Sequence, residues 1–159
     1  MIIIYAYINA RPFYDEPVRI KLHTFCNEHG FKAPFYVYSI EGLEMLMEQN
    51  RDESVLLFSN FPPNSSYPEM TRNNYGKPWE ADSYQRTGQY FSHWHSRYRF
   101  AAIHFVTGAP ESVLSDEAVK GYLPNLKVSI IRKGKWIKDG VDYENVLTTY
   151  MVQTIRNYC

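Results

Sequence analysis

Five short apolar runs alternate with helix-like stretches along almost the whole chain. Between the runs, apolar residues recur at three- and four-residue spacing, which is typical of amphipathic helices. Strands that alternate with helices predict a parallel sheet with helices on both faces, whose site lies beyond the carboxyl ends of the strands. In sequence order the runs are Ile2–Ile8, Phe35–Tyr38, Val55–Ser59, Ala101–Thr107 and Val128–Arg132.

This pattern predicts one doubly wound, flavodoxin-like α/β domain over residues 1–159, with five parallel strands in the order 2-1-3-4-5. The first run is apolar on both faces, as a central parallel strand should be. The Rossmann order is the common alternative, but the chain has no glycine-rich dinucleotide fingerprint to support it. A length of 159 residues fits a single domain.

Helix boundaries carry their own signals. Acids and a proline at 15–17 predict the start of the first helix, and Gly30 predicts its end. Ser39 is placed to cap the second helix. The remaining helices are predicted over Trp79–Tyr98, over Glu111–Tyr122 and from Asp142 onward.

The least regular stretch is Asn60–Pro78, where prolines and asparagines resist regular structure. We expect this long loop to form a lid over the strand ends and to carry ligand specificity. A loop that only packs its tyrosines on the sheet edge is the alternative. The lid would contribute aromatic rings from Phe61, Tyr67 and Tyr75, and hydrogen-bond donors from Arg72, Asn73 and Asn74.

Charge and composition narrow the classes of partner. Seventeen basic and seventeen acidic residues give a net charge of zero, which argues against a nucleic-acid or membrane-surface protein. No apolar run has membrane-spanning length and no signal peptide begins the sequence, so a cytoplasmic location is expected. Zero net charge and fourteen tyrosines favour self-association. A homodimer is therefore one predicted state.

The two cysteines lack the spacing of a disulfide framework or a metal site. Cys26 falls on the apolar face of the first predicted helix, and Cys159 is the last residue. A cluster of basic residues after the fifth run predicts a solvated turn. Its members are Arg132, Lys133, Lys135 and Lys138.

The predicted topology brings polar residues from several strand ends to one edge of the sheet. The turn Thr107-Gly108 lies where it can hold an anion beside Arg11 or Lys133. The candidate ligand-binding residues are Asn9, Arg11, Ser59, Asn60, Arg72, Thr107, Gly108 and Lys133. The chain predicts no cofactor and no metal site.

Two segments carry a resemblance to a known family. The fourth strand ends HFVTGA with Thr107, and the fifth ends SIIRKG with Lys133. This order resembles the receiver domain of two-component response regulators. That family has a Thr or Ser and a Lys at these two strand ends. It also has a phosphorylatable Asp after the third strand and an acidic pair after the first.

The departures from this family decide what the resemblance implies. Ser59 and Asn60 stand where the acceptor Asp would be, and Gly134 replaces the proline that follows the Lys. The first strand ends without a carboxylate, and Asp15 and Glu16 lie further along, where they complement a helix dipole. The resemblance therefore implies a degenerate pseudo-receiver, a signalling or protein-interaction module that cannot run aspartyl phosphorylation.

An enzyme or binding protein for a nucleotide- or sugar-like ligand is the competing function. It is supported by the long loop with Arg72 and by Glu80 and Asp82 beside it. Ser59 lacks a G-x-S-x-G elbow, so it does not predict a hydrolase nucleophile. The predicted partners are accordingly another protein or a small polar ligand.

The histidine pattern does not predict a metal site. His93 and His95 lie two apart in a predicted helix, so their side chains diverge and cannot share a metal. His104, inside the fourth strand, predicts a hydrogen-bonded core residue.

Overall fold

The computed structural model describes residues 1–8, 16–60, 79–107, 111, 115–123, 126–133, 136, 139–140 and 142–159. In these residues the chain forms one five-stranded, all-parallel sheet in the order β2-β1-β3-β4-β5. The predicted doubly wound fold and its strand order are confirmed. The elements are β1 (Ile2–Ala6), α1 (Glu16–Glu28), β2 (Phe35–Val37), α2 (Ile40–Gln49), β3 (Ser54–Asn60), α3 (Trp79–Arg97), β4 (Arg99–Thr107), α4 (Asp116–Tyr122), β5 (Val128–Arg132) and α5 (Tyr143–Tyr158).

The centre of the sheet is formed by the most apolar strands. Every residue of β1 is buried, as its two-sided apolar pattern predicts. β1 is shorter than the apolar run, because its ladder with β3 ends at the pair Ala6–Ser59. Tyr7 and Ile8 continue beyond that pair and remain buried. The Tyr7 N–H donates to the Val37 carbonyl at 3.0 Å, so the chain stays in register with β2 past the end of β1.

Two hydrophobic layers cover the two faces of the sheet. One layer packs α2, α3 and α4 against side chains such as Ile4 and Phe105. The other packs α1 and α5 against side chains such as Tyr5 and Phe58. Alternate residues of each strand enter opposite layers, because successive strand side chains point to opposite faces.

The predicted helix signals are used as expected. Ser39 Oγ accepts from the Gly42 N–H at 3.0 Å and caps α2. Asp142 caps α5 by accepting from the Asn145 N–H. Gly30 follows α1 with φ of 70°, a left-handed conformation that glycine adopts at little cost.

α3 lies beside α2, and hydrogen bonds between their side chains join the two helices. Phe91, Trp94 and Tyr98 of α3 are buried against the sheet. The Trp94 indole N–H donates to Glu44 at 3.0 Å, and the Tyr98 hydroxyl donates to Glu48 at 2.7 Å. This hydrogen bond from Tyr98, together with nearby arginines, lowers the pKa of Glu48. Both aromatic rings therefore bury their apolar parts while satisfying their polar atoms.

Candidate functional site

The carboxyl ends of β3, β4 and β5 carry four of the eight predicted ligand-binding residues. Ser59, Asn60, Thr107 and Lys133 are all buried at this edge. The register brings these ends together, with Ser59 paired to Phe105 and Thr107 paired to Arg132. The other four predicted residues, Asn9, Arg11, Arg72 and Gly108, lie outside the described residues. The predicted lid, Asn60–Pro78, also lies outside them apart from Asn60, which is not a loop residue but the last residue of β3, because its backbone still pairs with β4.

Asn60 clamps the end of β1 to the end of β3. Its Oδ1 accepts from the Ile8 N–H at 2.9 Å, and its Nδ2 donates to the Ile8 carbonyl at 3.1 Å. Both bonds are buried, and together they continue the β1–β3 ladder by one step with a side chain. Ser59 Oγ donates to the Asn60 carbonyl at 3.2 Å, so its hydroxyl is directed at the local backbone. At this strand end the side chains serve the backbone, which is how buried peptide groups are satisfied where a ladder stops.

Lys133 crosses the edge from β5 toward β1. Its backbone N–H donates to the Thr107 carbonyl at 3.0 Å, which holds it directly beside the end of β4. Its ammonium donates to the Tyr7 hydroxyl and lies 5.0 Å from the centre of the Tyr7 ring. Only 8% of Lys133 is exposed. A lysine buried to this degree requires partners for its charge, and the phenol supplies a hydroxyl acceptor and a ring face.

The burial of Lys133 corrects the prediction of a solvated basic turn over 132–138. Its neighbour Arg132 is also half-buried and pairs with Asp116 of α4 at 2.6 Å. Lys135 and Lys138 lie outside the described residues. The prediction treated the basic residues as one surface group, whereas the register of β5 places Lys133 just past the strand end, over the edge of the sheet.

Tyr7 is the site residue that the sequence analysis missed. It was read only as part of an apolar strand, yet its ring stacks on Tyr5 at 5.8 Å and its hydroxyl meets Lys133. Its position near the end of the first run was the available signal, because a tyrosine there presents a hydroxyl to the edge where the other strands end.

His104 lies in β4, before the strand end at Thr107, on the face of the sheet that α5 covers. Its ring stacks on Phe58 at 5.2 Å, and its Nδ1 is 3.4 Å from the Tyr150 hydroxyl. The predicted core position is confirmed, but the hydrogen bonding is incomplete, because Nε2 has no hydrogen-bond partner among the described residues. Burial first, and the charge of Lys127 second, lower the pKa of His104 to about 4. The imidazole is therefore neutral near pH 7.

The remaining chemistry of the described part of the chain is sparse. His93 and His95 are both exposed on α3, which confirms their helical placement. Within the described ranges, no three His, Cys, Asp or Glu residues come together as a metal site. Over the same ranges, every helix is too short or too polar to cross a membrane.

The arrangement at the edge can recognise charge and shape but offers little covalent chemistry. The Asn60 side-chain amide is occupied by hydrogen bonds to the Ile8 backbone, and the adjacent Ser59 hydroxyl donates to the Asn60 carbonyl. Lys133 and Tyr7 add a cation and a phenol.

Compared with protein-family models, with curated proteins and with solved structures, the chain gives no match in any of the three searches.

Proposed function

We propose that this chain is a pseudo-receiver, a signalling or protein-interaction module that does not undergo aspartyl phosphorylation. Its partner in this proposal is another protein, a second copy of the chain included, and its location is the cytoplasm. The observation that carries the proposal is the Asn60 clamp: the receiver resemblance puts Ser59 and Asn60 at the acceptor position, and the side chain of Asn60 is bound to the backbone of Ile8.

The chemistry of Asn60 supports the absence of phosphotransfer. A carboxylate oxygen can attack a phosphoryl group, whereas a neutral amide oxygen is a poor nucleophile. Both polar ends of the Asn60 side chain are also engaged with Ile8, so turning it toward a ligand would leave two buried backbone groups without partners. Ser59, the adjacent hydroxyl, is buried and donates to the Asn60 carbonyl.

The direction of Lys133 supports the same proposal. The receiver resemblance expects a Lys at the end of the fifth strand, and Lys133 holds that position. Here its ammonium contacts the hydroxyl of Tyr7, at the end of the first strand, and lies over the face of that ring. Contacts of this kind fix the side chains at this edge of the sheet, because they link the residue after β1 to the residue after β5. A fixed edge suits recognition of a partner.

Acetyl phosphate and Mg²⁺ are expected to leave the chain unmodified. Intact-mass spectrometry should show no gain of a phosphoryl group, because the end of β3 supplies an amide and a buried serine. A receiver domain with its acceptor Asp, treated in parallel, shows that the reagent is active. A hydroxylamine-labile phosphoryl adduct on the wild-type chain would overturn the proposal.

A ligand-binding function is the second candidate, favoured by one observation. Lys133 holds a buried positive charge at the edge where doubly wound sheets bind their ligands. Such a charge suits an anionic nucleotide- or sugar-phosphate-like ligand, whether the protein binds it or acts on it.

Thermal-shift measurements separate the two candidates. For the interaction module, nucleotides and sugar phosphates at millimolar concentration are expected to leave the unfolding midpoint unchanged. A ligand class that raises the midpoint of the wild-type chain but not of Lys133→Met would instead establish the second candidate, because binding only to the folded state stabilises it. Lys133→Arg, which keeps the charge, is the matched control.

A further inference from the structure

The two cysteines, far apart in the sequence, lie on neighbouring helix ends. Cys26 is in the last turn of α1, fully buried in the layer that also contains Ile155 of α5. The guanidinium of Arg156 lies 5.1 Å from the centre of the Phe25 ring. These contacts place the carboxyl-terminal turns of α1 and α5 side by side.

Cys159 continues the inner face of α5. Its N–H donates to the Ile155 carbonyl at 2.9 Å, which adds one more helical hydrogen bond after Tyr158. Residues four apart in a helix share a face, so Cys159 lies one turn beyond Ile155 on the side that faces α1. Its side chain is exposed, whereas that of Cys26 is covered.

The electrostatics agree with this proximity. Burial is the larger cause that raises the pKa of the Cys26 thiol, and the nearby Cys159 thiol is the second. Partial desolvation at the end of α5 likewise raises the pKa of Cys159, although its side chain is largely exposed. Both groups are therefore thiols near neutral pH, and both are free in the structure.

We propose that Cys26 and Cys159 are a redox-controlled cross-link, which forms an intramolecular disulfide when a peroxide is the oxidant. The exposed Cys159 sulfur attacks the peroxide O–O bond, which gives a sulfenic acid and releases one water. The Cys26 sulfur then displaces the sulfenic oxygen, which leaves as a second water. Two thiols are oxidised to one disulfide while hydrogen peroxide is reduced to two waters.

This disulfide would tie α5 to α1 and close a loop that spans most of the chain. Cross-links that close long loops stabilise by restricting the unfolded chain. The raised thiol pKa values make the reaction slow, since the thiolate is the reactive form. The disulfide is therefore expected to form only under sustained exposure to the peroxide.

Hydrogen peroxide treatment of the 159-residue chain, followed by trypsin digestion under non-reducing conditions, tests the proposal. Cleavage after Lys21, Lys32 and Arg156 should release the peptide 22–32 linked to the tripeptide Asn157-Tyr158-Cys159. Reduction should separate the two peptides. The oxidised monomer should also unfold at a higher temperature than the reduced one, by on the order of 10 °C.

Two variants keep the result interpretable. Cys159→Ser replaces an exposed side chain, so it should fold normally, give no linked peptide and show no gain in midpoint on oxidation. Cys26→Ala should also give no linked peptide within a monomer, and its Cys159 should stop at the sulfenic or a higher oxidation state. The proposal is overturned if wild-type Cys159 is only over-oxidised, or if it forms a disulfide only between two chains.

Discussion

Replacing Asn60 with alanine is expected to lower the free energy of unfolding by about 3 kcal/mol. The substitution removes two buried hydrogen bonds and leaves the Ile8 N–H and carbonyl without their partners. A buried polar group that loses its partner costs roughly 1–3 kcal/mol, which is more than the net gain from an average hydrogen bond. Urea denaturation, with an unchanged m-value, measures the effect.

Asn50→Ala is the matched control for this measurement. Asn50 also donates from its amide to a backbone carbonyl, that of Leu46, but this contact is half-buried at the end of α2. Water can replace the lost donor there, so we expect a loss below about 1 kcal/mol. Equal losses of unfolding free energy for the two variants would show that the buried hydrogen bonds of Asn60 stabilise the protein no more than the half-buried hydrogen bond of Asn50.

Acidification from pH 6.5 to pH 4 is expected to lower the free energy of unfolding through His104 by up to about 3 kcal/mol. Its pKa is near 6.5 in the unfolded chain and about 4 in the folded one. The unfolded state therefore takes up the proton first, and each pKa unit between the two values corresponds to about 1.4 kcal/mol. This contribution is fully present above pH 6.5 and fully lost below about pH 4.

The surroundings of His104 explain why its folded form resists the proton. Phe58 covers its ring, Tyr150 supplies one weak contact and Lys127 adds a positive charge. Ser129, opposite His104 on β5, also interacts with Tyr150. None of these groups is a carboxylate, which would stabilise an imidazolium.

Comparison of variants isolates this contribution from the other titrating groups. His104→Phe keeps a ring against Phe58 and removes the unpartnered Nε2, so its stability should fall less steeply with acid than that of the wild type. His23→Phe replaces an exposed histidine of α1 and should keep the wild-type slope. Parallel curves for His104→Phe and the wild type between pH 6.5 and pH 4 would contradict the assignment. Denaturant midpoints at a series of pH values give the comparison.

The apolar pattern of the chain is enough to predict the layers, the strand order and most helix ends. Strands buried on both faces need continuous apolar runs, and Ile2–Ile8 has that pattern. Local signals worked wherever the physical interaction is local, because a cap such as Ser39 needs only the N–H three residues ahead. Thr107 and Lys133 were placed at the correct edge for a similar reason, since parallel strands all end on one side of a sheet.

The contacts of those edge residues depend on how distant segments of the chain pack together, which the sequence pattern does not report. Asn60 meets the backbone of Ile8, Lys133 meets Tyr7, and the turn that carries Cys26 meets the turn before Cys159. Each pair joins segments that are distant in the sequence, and its contacts depend on strand register and helix placement to within about one residue. Periodicity reports which face a side chain occupies, but burial and partner choice are set by the neighbouring strand or helix. For that reason the sequence pattern indicated a solvated Lys133 and a hydrogen-bonded His104, whereas packing buried the lysine and left His104 Nε2 without a hydrogen-bond partner among the described residues.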